Sequence, residues 1–193
     1  MARLAVFASG RGTNFVAIAR ALKSRRLHTL EFLLCDRKAA PAFDRAGELG
    51  VESYYATYVN RTREAAEAEM LGHLARHAVD VVALAGYMRL FTPFFFRGFH
   101  GDIVNLHPAL LPKYPGAHGI EESYASGDRE LGISIIRVDE GCDTGPVLLQ
   151  KSFMRKGNES LGEIEARIHA LEHEWFPRVV MDLLDAADER RMK

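Results

Sequence analysis

Three short segments carry side chains suited to work on a carbonyl or a phosphate. The first is Asn105-Leu106-His107, followed by a loop with prolines at 108, 112 and 115. Two residues apart at a strand end, Asn105 and His107 project on the same side. A carboxamide and an imidazole facing one point form a donor pair for a carbonyl oxygen that is becoming an oxyanion. The prolines stiffen the loop that leaves this point. The second segment is Asp139-Glu140-Gly141-Cys142-Asp143-Thr144-Gly145-Pro146. An acidic turn of this kind is ordinarily solvated surface. It lacks the ligand spacing of a calcium loop, and no second His/Cys cluster completes a zinc site, so no metal is expected. A carboxylate beside an imidazole favours the cationic ring. Asp143 takes that role if the fold carries it to His107. The third segment is Ser9-Gly10-Arg11-Gly12-Thr13-Asn14, after an apolar run and before a helical pattern. Main-chain N–H groups at such a junction form an anion site. A plain tight turn with a helix cap is the alternative. The third glycine of the dinucleotide fingerprint falls on Phe15, so that motif is excluded.

The elements that must position these segments follow from the hydrophobic pattern. Leu4 to Ala8 reads as a strand, and Phe15, Ile18, Ala19 and Leu22 recur at helical spacing. Leu30 to Cys35 is a second strand. Pro41 to Leu49 is a helix ended by Gly50. Val51 to Ala56 is a strand and Arg63 to His77 a helix. Val79 to Gly86 is a strand apolar on both faces, as in a parallel sheet. Strand and helix therefore alternate through residue 86, the pattern of an open, mostly parallel, doubly wound α/β sheet with right-handed connections. Beyond it come an aromatic cluster around Phe94-Phe95-Phe96, a strand from Ile103 to Leu106, and the proline-rich loop. Leu131 to Val138 and Val147 to Phe153 form a strand pair across the acidic turn. A long helix runs from Ser160 to about Ala186, opened by a Ser160/Glu163 capping box. No repeat or linker interrupts the chain, so one domain over residues 1–193 is expected.

Composition narrows the function classes. Of 193 residues, 48% are hydrophobic and 26% charged, and 25 Lys+Arg against 26 Asp+Glu leave a formal charge of -1. Proteins that grip a nucleic-acid backbone are usually basic, so no nucleic-acid partner is expected. Cys35 and Cys142 cannot form a disulfide framework, which suits a reduced cytoplasmic chain. The first residues are too soon interrupted by Gly10 to read as a signal peptide, and no apolar run approaches the ~20 residues of a membrane span.

Four segments in order, Gly10-Arg11-Gly12-Thr13-Asn14, Leu84-Ala85-Gly86-Tyr87-Met88-Arg89, Asn105-Leu106-His107-Pro108-Ala109-Leu110-Leu111-Pro112 and Asp143-Thr144-Gly145, resemble the motifs of the formyltetrahydrofolate-dependent formyltransferases. The resemblance covers essentially the whole chain. It implies a Rossmann-like formyltransferase fold, with a phosphate-binding half (residues 1–86) and a folate-binding and catalytic half (residues 87–193). The reaction it implies is formyl transfer from 10-formyltetrahydrofolate to the amine of 5'-phosphoribosylglycinamide, in purine biosynthesis, by a monomer or homodimer with small-molecule partners only. Asn105, His107 and Asp143 match the catalytic residues. Gly12, Thr13 and Asn14 match the phosphate-holding segment, and Glu172 a glutamate that holds the glycinamide end. Arg63, Met88, Arg89, Leu90 and Phe91 match folate contacts. Asp139, Glu140, Gly141, Cys142 and Asp143 match the pterin wall, and Asn105 also faces the folate. Two positions depart from the pattern: Ile136 stands where a histidine is common, and Asp36 where an asparagine is common. The rivals are tRNA-directed or sugar-amine formyltransferases, a formyltetrahydrofolate hydrolase, and a non-catalytic phosphosugar sensor. A tRNA-directed relative should carry a further domain and a basic surface, a hydrolase an extra N-terminal domain. A sensor has no use for an oxyanion site.

Overall fold

The computed structural model describes residues 1–192. In chain order the elements are β1 (Arg3–Ala8), α1 (Thr13–Arg25), β2 (Thr29–Cys35), α2 (Ala42–Leu49), β3 (Glu52–Tyr55), α3 (Arg63–Arg76), β4 (Val81–Leu84), α4 (Pro93–Gly98), β5 (Asp102–His107), α5 (Gly119–Ala125), β6 (Glu130–Arg137), β7 (Val147–Met154) and α6 (Leu161–Arg191). The strands form one seven-stranded sheet in the order β3-β2-β1-β4-β5-β6-β7. β1 to β5 pair in parallel, and β6 and β7 join antiparallel at one side. The fold is therefore the open, mostly parallel α/β sheet that the alternating pattern predicts, with the strand pair and long helix at its end.

Side chains alternate across each strand, so the sheet divides the apolar residues between two cores. Leu4, Val6 and Ala8 of β1 pack with Phe15, Ile18 and Leu22 of α1 and with Ile164, Ile168, Phe176 and Val180 of α6. Ala5 and Phe7 face the other way, toward Ala66 and Met70 of α3 and Phe95 of α4. β1 is buried on both faces for this reason. The aromatic run belongs to the second core: the Phe91 and Phe95 rings stack with centroids 3.9 Å apart and planes within 7°.

Element ends differ from the pattern in a few places. β3 and β4 are four residues each, shorter at both ends than their apolar runs. α4 and α5 have six and seven residues, too few turns for a readable period. α6 continues to Arg191, past the last strong apolar repeat, with Pro177 inside it. Its first turn carries the expected capping box, in which Ser160 accepts from the Glu163 N–H and Glu163 returns a bond to the Ser160 N–H.

Candidate active site

The strand order reverses between β1 and β4, and the loops leaving their carboxyl ends part there. Ser9 ties them together: its N–H donates to the Gly86 carbonyl (3.1 Å), and its hydroxyl accepts from the Met88 N–H (3.0 Å). Over this point opens a cleft of about 550 Å³, walled by the loops after β1, β4 and β5, the turn after β6, and the inner face of α6. Every residue expected at the site lines it except Arg63.

At one end is the glycine loop. Gly12 caps α1 in the left-handed region (φ 71), and no side chain caps the helix. The first N–H groups of α1 therefore remain available to an anion. A Cβ on Gly12 would come within 2.9 Å of the Ala42 Cβ, so glycine is required by contact as well as by φ.

In the middle, Asn105 and His107 leave the end of β5, and Asp143 comes from the turn after β6, 36 residues beyond His107. Asp143 sits at φ 55, an uncommon but tolerated conformation for aspartate, which turns its carboxylate back toward β5. One carboxylate oxygen accepts from the Asn105 amide (3.2 Å). The other accepts from the Gly116 N–H (2.9 Å) and lies 3.3 Å from His107 Nδ1. His107 is buried to 2% exposure, and its Nε2 is 2.7 Å from the Tyr114 carbonyl oxygen. Both ring nitrogens thus face acceptors, an arrangement that suits two N–H donors. The Asn105 amide has two hydrogens, and one remains for a ligand. The Nδ1 contact with Asp143 is an ion-pair distance, leaving that proton open to sharing with a ligand oxygen. The sheet register sets Ile136 across from Asn105, where it is buried at 2% and forms an apolar wall of the cleft.

At the α6 end, Glu172 Oε2 accepts from the Asn14 amide (3.0 Å) and lies 3.0 Å from His169 Nδ1. This links the glycine loop to the last helix across 158 residues of chain. His169 and His173 also line the cleft, though sequence reasoning did not single them out. The available signal was their spacing: residues 169, 172 and 173 share one helix face. The hydrogen bond to Glu172 holds the His169 pKa above the ordinary histidine value, whereas burial lowers that of His173.

On the other wall, Met88 and Leu90 expose 52% and 54% of their surfaces beside the buried Phe91. Arg89 is fixed by its Nε donating to Asp36 (2.8 Å) and by lying over the Tyr58 ring, 4.7 Å from its centroid. The hydrogen bond and charge of Asp36 push the Arg89 pKa up. Asp36 thus gives Arg89 a full negative charge where an asparagine would give only a dipole. Arg63 does not line the cleft; it is exposed at the start of α3, and its Nη2 donates to the carbonyl oxygen of Leu90, a residue of the wall. Of the acidic turn, Asp139 is occupied by its own loop, accepting from the Gly141 N–H (3.0 Å) and the Thr144 hydroxyl (2.8 Å). Burial and the neighbouring Asp143 push the Cys142 thiol pKa up, which disfavours a nucleophilic thiolate. Among the described residues no cluster of His, Cys, Asp or Glu could hold a metal, and no helix is long and apolar enough to cross a membrane.

Comparison with known proteins places the chain among formyl transferases. The family model described as formyl transferase matches residues 2–180. The chain is 39% identical over 188 residues to the phosphoribosylglycinamide formyltransferase of Bacillus subtilis, covering 95% of each chain. It resembles the solved structure of glycinamide ribonucleotide transformylase 1 from Geobacillus kaustophilus with a TM-score of 0.91 and 42% identity, over 95% of this chain and 99% of that one. The phosphoribosylglycinamide formyltransferase of Streptococcus pneumoniae gives a TM-score of 0.88 at 40% identity, with 95% and 99% coverage.

Proposed function

The chain belongs to the formyl transferase family, and from that premise we propose that it transfers the formyl group of 10-formyltetrahydrofolate to the amine of 5'-phosphoribosylglycinamide, a step of purine biosynthesis. The observation that carries this reading is the single cleft, in which an anion loop (Gly12, Thr13, Asn14) and an apolar wall (Met88, Leu90, Ile136) flank Asn105, His107 and Asp143. Its volume of about 550 Å³ lies in the range of small-molecule sites.

In this reading the substrate phosphate sits on the α1 N-terminus, and Glu172 holds the glycinamide end. The folate lies along residues 88–91, with the turn 139–143 closing over its ring. The amine nitrogen attacks the formyl carbon, and the carbonyl oxygen gains negative charge. The free hydrogen of the Asn105 amide and the Nδ1 proton of His107 stabilise that oxygen. Asp143 offsets the charge on His107 and aligns both donors. The bond from the formyl carbon to the folate nitrogen then breaks. The amine gives up a proton, and the folate nitrogen gains one. His107 and Asp143 are the groups within reach of that exchange. The nucleophile is the substrate's own amine, so the chemistry calls for no covalent enzyme intermediate. Residues 1–86 and 87–193 serve as the phosphate-binding half and the folate-binding, catalytic half of one unit, and the cytoplasm is the compartment that fits.

Replacing one oxyanion donor costs roughly 10²–10³ in rate. We expect His107→Ala to lose that much turnover, measured as folate product formed per enzyme, in a chain that still folds but melts at a lower temperature. Near-parental turnover in a folded His107→Ala chain contradicts the assignment.

A further inference from the structure

His107 is gripped from outside the cleft as well as from inside it. The Tyr114 carbonyl oxygen, 2.7 Å from Nε2, fixes the plane of the ring and the proton on that nitrogen. Tyr114 presents this carbonyl from a left-handed backbone (φ 55), which a bulky residue adopts only when its surroundings hold it there. The hold is visible. Tyr114 Oη donates to Asp128 Oδ2 (2.7 Å), and Lys113 Nζ donates to the same oxygen (2.7 Å). Two residues on, the Gly116 N–H donates to Asp143, and beyond it Gly119 lies so close to the imidazole that a Cβ there would be 3.1 Å from Nε2. One short segment therefore touches His107 twice and Asp143 once. Its outer end is fastened by a single carboxylate.

Neither Tyr114 nor Asp128 lines the cleft; both border a smaller hollow of about 310 Å³ behind it. We propose that Asp128 and the Tyr114 hydroxyl are positioning residues for the reacting centre: they anchor the segment whose main-chain carbonyl keeps the His107 ring turned with Nδ1 toward Asp143 and the cleft. Their action passes through the ring's orientation, not through any ligand contact. The kinetic consequence rests on the proposed formyl transfer, but the anchoring itself does not.

The test uses Tyr114→Phe, Asp128→Asn and the double variant of the full chain. Tyr114→Phe keeps the ring and removes only the hydroxyl, so it remains informative if Asp128→Asn does not fold. Small displacements of catalytic groups cost up to about 10²-fold. The expected result is a kcat lowered roughly tenfold in each variant, at most about 10²-fold, with KM for both substrates little changed. The double variant should be no slower than the slower single, because both remove one anchor. The ring-nitrogen resonances of His107, followed by ¹⁵N NMR without substrate, should shift in each. Unmoved resonances with parental kcat overturn the proposal. So does a rise in KM alone, or a double variant whose losses multiply. If the resonances move but the parent chain transfers no formyl group, the anchor stands and the assigned reaction fails.

Discussion

Asp143 sits at a branch point: one oxygen serves Asn105, and the other serves Gly116 while lying beside His107. Its charge and its shape are therefore separable by experiment. Asp143→Asn keeps the shape and removes the charge. We expect a fall in kcat of about 10², with little change in the dissociation constant of the phosphorylated amine, measured by calorimetry. His169 should instead show itself in stability against pH. Its raised pKa comes first from the hydrogen bond to Glu172, against burial and Arg11. A group whose folded pKa is raised contributes in full below its unfolded value and loses that contribution as pH rises through the folded one. The fold should thus lose part of its stability as pH rises through the raised His169 pKa, read as a fall in melting temperature. His169→Lys should remove most of that slope, and an equal slope in the variant would show that His169 is not its source. Much of this residue-level detail was legible in the chain. Asn105 and His107 could be paired because strand geometry places alternate residues together. Asp143 could be suspected but not located, since its approach depends on a left-handed backbone in a distant turn. Tyr114 was invisible for a plainer reason: it contributes a main-chain carbonyl, which its residue type does not advertise. Arg63, 27 residues before Leu90, reaches the cleft wall only through the fold, by donating to that residue's carbonyl oxygen.

Two helices set the ends of the cleft, and each start has its own determinant. Gly12 opens α1 with a positive φ and no room for a Cβ. Gly12→Ala should cost about 1–2 kcal/mol, lowering the melting temperature by some 2–4 °C per kcal/mol for a chain of this size. It should also weaken phosphate binding, because the displaced turn is the proposed phosphate site. Ser160 opens α6 with a reciprocal cap far from the cleft. Ser160→Ala should lose about 1 kcal/mol with unchanged kcat. Scanning calorimetry and steady-state rates on the two variants separate the outcomes, and a rate loss in Ser160→Ala would mean that α6 transmits its frayed start to Glu172. Elements with long periods were readable from sequence, as α1, α3 and α6 attest. The six-residue α4 was hidden because only Phe95 of its three consecutive phenylalanines is fully buried, and α5 by having only two turns.

At the scale of the whole molecule, the sheet keeps two cores apart and brings four loops and one helix to a single opening. Residues 14 and 172 meet there, as do 105 and 143, so the cleft exists only in the folded chain. Ligand binding should therefore be coupled to folding. At a concentration about 100 times its dissociation constant, the phosphorylated amine should stabilise the fold by about 2.7 kcal/mol, a rise of roughly 5–10 °C in melting temperature. The alternation of strand and helix was enough to foresee the sheet. Which loops converge could not be read from it, because convergence is fixed by strand order, and order depends on packing between segments distant in the chain. The most direct test of the central claim is a formyl-transfer assay on the purified chain. Folate product would be followed by absorbance with 10-formyltetrahydrofolate present and 5'-phosphoribosylglycinamide added or withheld. Product appearing only with the amine, one folate released per amine formylated, is the predicted result. Product without the amine, or none with both, would contradict it.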